Sequence, residues 1–229
     1  MERLINVLGG KGFVGSRYRE LTENVVINAK YDYNVKDDSE VVYFISTVDN
    51  YNVHTNPFID IETNLTCLIK TLESCKDKNV TFNFISSWFV YGDVELPAKE
   101  DSYCNPKGFY SITKRTAEQL LISYCETFGI KWRIIRLGNV LGKGDKKVSK
   151  KKNALQYLIN EIKENRDINL YDGGDLYRDY IHVDDVVQAI NLIIEKGEVN
   201  EIYNIGAYSY SFNQVIQYVI EKTNSKSTS

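Results

Sequence analysis

Tyr110 and Lys114 stand four residues apart in the run Phe109-Tyr110-Ser111-Ile112-Thr113-Lys114, and on a helix that spacing puts both on one face. A phenol beside a fixed ammonium is a proton-transfer device. Tyrosine ordinarily ionises near pH ~10, a neighbouring cation favours the phenolate, and a shift to about 7 corresponds to roughly 4 kcal/mol. On this reading Lys114 makes Tyr110 a usable base near neutral pH. The pair alone is a common surface pattern, so its weight depends on what accompanies it.

Leu4-Ile5-Asn6-Val7-Leu8 reads as a short apolar strand running into Gly9-Gly10-Lys11-Gly12-Phe13-Val14-Gly15, and a helix start follows from Ser16. Strand, glycine turn and helix is the order a dinucleotide pyrophosphate needs, because glycines admit phosphates close to the backbone N–H groups of a helix start. Two fingerprints overlap, Gly10-x-Gly12-x-x-Gly15 and Gly9-x-x-Gly12-x-x-Gly15.

The elements that must position these residues alternate along the chain. Short apolar strands fall at 25–27, 41–45, 80–85 and 132–136, and helical spacing marks 65–72 and 116–128. Repeated βα units of this kind predict a parallel sheet of Rossmann type. A chain of 229 residues with 43% hydrophobic content can bury one substantial core or a domain with a modest appendage. The net charge of -3 gives no reason to expect nucleic-acid affinity, and the sequence contains neither a long uncharged apolar run nor a signal peptide, so neither nucleic acid nor membrane is an expected partner and a cytoplasmic protein is expected. The scattered Cys67, Cys75, Cys104 and Cys125 suit neither a zinc site nor a disulfide framework and read as reduced thiols; no metal is expected. The segment 143–152 holds six lysines in ten residues and reads as a solvated loop that could also draw in an anionic substrate.

With Ser86-Ser87-Trp88-Phe89-Val90-Tyr91-Gly92 added, the chain resembles the extended short-chain dehydrogenase/reductase family, the NAD-dependent epimerases and dehydratases that include UDP-galactose 4-epimerase. Further matching pieces are Glu62-Thr63-Asn64, the run from Ile134 to Gly142, Arg178-Asp179-Tyr180-Ile181-His182-Val183-Asp184-Asp185, and Tyr203-Asn204-Ile205-Gly206. The resemblance covers nearly the whole chain. It implies an α/β fold, a Rossmann-type doubly wound parallel sheet with a small, abbreviated C-terminal substrate-binding portion. One domain spans 1–229, with substrate-binding elements within roughly 139–185 and 203–229.

It also implies roles. Ser87, with Ser86 as fallback, holds the reacting oxygen, Tyr110 handles the proton, and Lys114 biases Tyr110 and hydrogen-bonds the nicotinamide ribose. NAD is met by Gly9, Gly12, Phe13, Val14, Gly15, Asp32, Ile45, Ser46 and Leu137 together with Tyr110 and Lys114. Asn139 and Arg178 join Ser87 on a nucleotide-diphosphate sugar, an amide and a rigid cationic fork both suiting a diphosphate; the competing role for Arg178 is a salt bridge to Asp179 or Asp184. His182 is expected to be a packed structural histidine. A homodimer through the helix bearing Tyr110 is what the family suggests.

The chain departs from the family pattern in three places. The short gap between the strands at 25 and 41 implies a missing strand and helix, so the ribose acid falls only approximately on Asp32, with Asp37 and Asp38 competing. Because Lys11 or Lys30 could meet a 2′-phosphate, NADP stays open beside NAD. Beyond Gly206 one helical pattern, 212–221, and a polar tail remain, which reads as a compact variant or a truncated one. Trp88-Phe89 occupies the place of the Asp-Glu pair with which the family's 4,6-dehydratases eliminate water. The expected reaction is therefore epimerisation, hydride leaving and returning to one sugar carbon. The alternatives are an NAD(P)H-dependent ketoreductase, then a 4,6-dehydratase or a dinucleotide-binding regulatory protein without turnover.

Overall fold

The computed structural model describes residues 3–49, 51–145 and 154–228. Most of the lysine-rich segment, 146–152, lies outside the described residues.

β1 (Leu4–Leu8) leads through the glycine turn into α1 (Phe13–Leu21), then β2 (Val25–Ile27) and β3 (Ser39–Tyr43). A helical run follows: α2 (Phe58–Asp60), a π-helical stretch Ile61–Thr66, and α3 (Cys67–Cys75). β4 (Val80–Ser87), α4 (Phe109–Phe128), β5 (Lys131–Leu137) and β6 (Asn139–Leu141) come next. α5 (Ala154–Lys163), β7 (Tyr177–His182), α6 (Val183–Lys196), β8 (Glu201–Ile205), β9 (Tyr208–Ser211) and α7 (Phe212–Thr223) complete the order.

The main sheet runs β2-β1-β3-β4-β5-β8, with every pairing parallel; Asn6 faces Val41, Val41 faces Phe82 and Phe82 faces Trp132. Strands buried on both faces read as unbroken apolar runs, and β3 and β4 are buried almost throughout. On one face Leu68, Leu72, Ala117 and Leu121 from α3 and α4 pack on Val41, Phe82 and Ile134. On the other Tyr18 from α1 and Val186, Val187 and Ile190 from α6 pack on Val7, Val42 and Ile135. This is the doubly wound Rossmann arrangement.

The sheet explains the short 25–41 gap. β2 is its edge, and among the described residues neither strand nor helix intervenes between β2 and β3. A second sheet, β6-β7-β9, mixes parallel and antiparallel pairing. α5 and α7 cover it, with Leu155, Ile162, Ile168, Tyr180 and Ile216 forming a third apolar cluster. The segments expected to contribute substrate-binding elements lie largely in this sheet, α6 and α7. All four cysteines are free.

α4 starts at Gly108 and stops at Gly129, whose φ of 67° is left-handed, a position that glycine fills without a Cβ penalty. α7 opens with a capping box between Ser211 and Gln214. The glycine turn is set by close backbone approach. Gly9 has φ +80°, and a Cβ on Gly15 would stand 2.5 Å from the Gly9 carbonyl oxygen and 3.1 Å from Gly10 Cα. The expected result for Gly15→Ala is a loss of about 1–3 kcal/mol in stability as the turn is forced open, read from the urea midpoint; an unchanged midpoint would show that the turn accommodates a methyl group.

Candidate active site

In a parallel sheet the loops beyond the carboxyl ends of the strands form the binding crevice, and the expected residues gather there. Gly9, Gly12, Phe13, Val14 and Gly15 follow β1, Ile45 and Ser46 follow β3, Ser87 ends β4 and Leu137 ends β5. The Phe44 amide donates to the Leu8 carbonyl at 2.8 Å, tying the β3 loop to the glycine turn. The turn brings Gly12 N to Gly9 O at 3.0 Å, so the Gly9-x-x-Gly12-x-x-Gly15 spacing describes it. Gly12 N-caps α1 without a side-chain hydrogen bond, which leaves first-turn amides for an anion. A cradle that side chains would fill, at a nine-residue helix start, fits a dinucleotide pyrophosphate.

α4 delivers Tyr110 and Lys114 from its first two turns. Burial pushes the Tyr110 phenol above its ordinary range; the neighbouring Ser46 and Ser87 hydroxyls oppose the rise, and the Asp60 carboxylate adds to it. The phenol thus has a hydroxyl from the β3 loop and one from the end of β4 as neighbours. Ser87 itself accepts from Phe89 N at 3.3 Å. Ser86, the fallback, is committed elsewhere: it donates to Glu118 Oε1 at 2.6 Å.

The expectation that Lys114 lowers the Tyr110 pKa is corrected here. Lys114 is 1% exposed, donates Nζ to the Ile85 carbonyl at 2.9 Å and lies over the Phe84 ring at 4.1 Å. Burial lowers its own pKa from 10.5 to about 7, against the opposing Glu118 charge. Desolvation is the largest influence on both members of the pair.

Below this pair Glu118 is fully buried and grips Arg136 through two bonds of 3.0 and 2.9 Å. Burial alone would raise the Glu118 carboxyl, but the Arg136 hydrogen bonds and charge, with Ser86 and Arg115, hold it below the usual range. Arg136 stacks on Tyr91 at 4.7 Å, and Tyr91 donates to Asn204 Oδ1 at 2.7 Å.

Arg178 reaches the site from β7. Its guanidinium lies 5.0 Å over the Trp88 ring, Trp88 stacks on Phe89 at 4.4 Å, and Phe89 meets Tyr110 edge-on at 6.0 Å. The competing role for Arg178 is absent from this geometry: Asp184 is held by Arg17 at 2.6 and 3.0 Å, and Arg178 donates to the Tyr177 carbonyl at 2.8 Å. Asn139 donates Nδ2 to the Asp179 carbonyl at 3.1 Å, which joins β6 to β7. His182 is exposed rather than packed, and caps α6 by accepting from Asp184 N at 3.3 Å.

Asp32 lies in the turn beyond β2, exposed, with Oδ1 accepting from Asn34 N at 3.1 Å and Asn34 Nδ2 at 3.0 Å. Asn28 stands directly after β2. Asp37 and Asp38 precede β3 at the opposite end of the sheet and bind Asn79 at 2.7 Å each. Lys30 lies over Tyr31 at 4.6 Å.

Sequence reasoning left Thr47, Asp60 and Asn64 without a role, although all three are buried beside the site. The available signal was Asp60-x-x-x-Asn64, two polar residues at helical spacing inside an apolar run.

Residues 35–206 match the model of the NAD dependent epimerase/dehydratase family, and the chain belongs to that family. It is 30% identical over 200 residues to a dTDP-D-glucose 4,6-dehydratase of Dictyostelium discoideum, covering 82% of this chain and 44% of that one. The chain spans about half the length of the curated relatives it matches first. Among solved structures, UDP-glucose 4-epimerase of Thermotoga maritima with UDP-glucose superposes with a TM-score of 0.83 at 23% identity, over 98% of this chain and 85% of that one. UDP-glucose 4-epimerase of Thermus thermophilus, in complex with NAD, gives 0.80 at 24% identity, over 98% and 85%. These likenesses establish the fold.

Lys114 binds fewer protons in the folded chain than in the unfolded one between about pH 7 and its ordinary 10.5. Stability attributable to it therefore rises with pH across that window. The expected outcome is an unfolding free energy that climbs more between these limits in the parent than in Lys114→Met, by at most about 5 kcal/mol. Parallel pH curves for the two proteins would refute the buried-ammonium assignment.

Proposed function

We propose that this chain binds NAD and a nucleotide-diphosphate sugar and epimerises the sugar by oxidising one hydroxyl to a transient ketone and reducing it again. The observation that carries the reading is the placement of Tyr110, in the first turn of α4, and Ser87, at the end of β4, at the carboxyl end of the sheet beside a glycine turn shaped for a pyrophosphate. NAD, when bound, supplies a hydride acceptor that can return the hydride to the same carbon. Tyr110 exchanges the proton at the sugar hydroxyl oxygen. Ser87 donates a hydrogen bond to that oxygen and steadies it as it becomes a carbonyl. Lys114, held on the Ile85 carbonyl, supplies a buried group that is partly charged near neutral pH. Arg178 offers a guanidinium at the rim for the substrate diphosphate.

Trp88 and Phe89 argue against elimination. Stacked aromatic rings follow Ser87, and neither can serve as the acid or base that removing water requires. This favours epimerisation over the reaction named for the dehydratase relatives. Related structures favour the same substrate class: the Thermotoga protein is described with UDP-glucose and the Thermus protein with NAD.

The test is mass and absorbance analysis of cofactor released from the purified protein, with a screen of UDP-, GDP-, dTDP- and CDP-sugars. Conversion of a sugar to its epimer without net use of cofactor supports the reading. Activity only with stoichiometric consumption of NADPH would make the protein a reductase. Tyr110→Phe is expected to lower kcat by at least about 100-fold while dinucleotide affinity stays within about threefold, measured by calorimetric titration; unchanged kcat would remove Tyr110 from the chemistry.

A further inference from the structure

Asp60 is a buried carboxylate beside the site that the proposed chemistry does not use. It is 1% exposed, and its Oδ1 accepts from Thr47 Oγ1 and, at 3.2 Å, from Asn52 Nδ2. A carboxylate only accepts, so the Thr47 proton is directed to Asp60. That fixes Asn64, also 1% exposed: Nδ2 donates to Thr47 Oγ1 at 3.0 Å, and Oδ1 accepts from Thr47 N at 3.0 Å and Ser46 Oγ at 3.3 Å. Ser46 in turn neighbours the Tyr110 phenol and lowers its proton affinity. A second branch runs from Asn64 Nδ2 to Thr113 Oγ1 at 3.0 Å, and Thr113 donates to the Tyr110 carbonyl at 2.9 Å. The π-helical stretch Ile61–Thr66 turns Asn64 toward both branches, and such stretches recur at functional sites.

We propose that Asp60 is a positioning residue for Tyr110, holding Ser46 and the first turn of α4 through Thr47 and Asn64. Like charges close together in a site cut off from water disfavour ionisation. The other ionisable groups facing this region are Lys114 on α4 itself, the mutually engaged Glu118 and Arg136, and Arg178 beyond Trp88 and Phe89. Asp60 thus contributes, behind burial, to the pH at which Tyr110 can exchange its proton. This consequence rests on the hydride-transfer reading above; the structural claim does not.

The experiment follows the carbon bearing the phenol oxygen by NMR in protein labelled with [ζ-13C]tyrosine. The Tyr110 resonance is identified by its loss in Tyr110→Phe, and spectra run from about pH 6 to about pH 11, across the ordinary tyrosine range. Asp60→Asn removes the charge while keeping the oxygen that Thr47 and Asn52 address. The expected result is a Tyr110 resonance displaced from the parent's and titrating at lower pH. A resonance and midpoint identical to the parent's overturn the proposal. Thr47→Val, which cuts the chain but keeps the carboxylate, is expected to move the resonance also, and decides the matter if circular dichroism shows Asp60→Asn unfolded; an unmoved resonance there likewise overturns it. The measurement needs neither cofactor nor sugar, so a shifted resonance in a protein that turns over no sugar would leave Asp60 in place and sink the catalytic reading instead.

Discussion

Burying the first turns of α4 against the ends of β3 and β4 takes a phenol, an ammonium and several hydroxyls out of water together, and each must then find a partner. Lys114 finds the Ile85 carbonyl and Ser86 Glu118, while Tyr110 lies beside the Ser46 and Ser87 hydroxyls. The same burial shifts proton affinities, upward for the phenol and downward for the ammonium. Geometry and titration thus share one cause. The parallel sheet supplies the rest, because strands running the same way bring the loops after β1, β3, β4 and β5 to one edge.

Two polar networks keep this burial from being ruinous. Glu118 and Arg136 neutralise each other beneath α4 with exposures of 0% and 2%; removing one partner of such a pair costs about 3–5 kcal/mol. Thr47, Asp60 and Asn64 do the corresponding work between α2 and α4. The aromatic ladder from Arg178 through Trp88 and Phe89 to Tyr110 adds a third link, and through it the second sheet bears on the first.

Much of this was legible in the sequence because it is local. The glycine turn, the pairing of Tyr110 with Lys114 on one helix, and the strands at 25, 80 and 132 follow from spacing and side-chain type alone. The missing strand and helix could be read from the length of one gap. Other features are non-local. Lys114 bonds a carbonyl 29 residues away, so its spacing from Tyr110 could not reveal that its head would turn from the phenol. Thr47 and Asn64 meet across 17 residues by way of a π-helical turn that periodicity does not encode. β6 and β9 have only 3 and 4 residues, too few to show alternation, and the second sheet went unread. His182 shows the same limit, since a histidine before a helix can pack or cap and the motif does not say which.

The most direct test of the account is conversion of nucleotide sugars with NAD in deuterium oxide, with the product examined by NMR. Hydride leaving and returning to one carbon while Tyr110 handles only the hydroxyl proton predicts an epimer that keeps its ring hydrogen. Deuterium at the inverted carbon, or no conversion of any sugar by NAD-loaded protein, would contradict it.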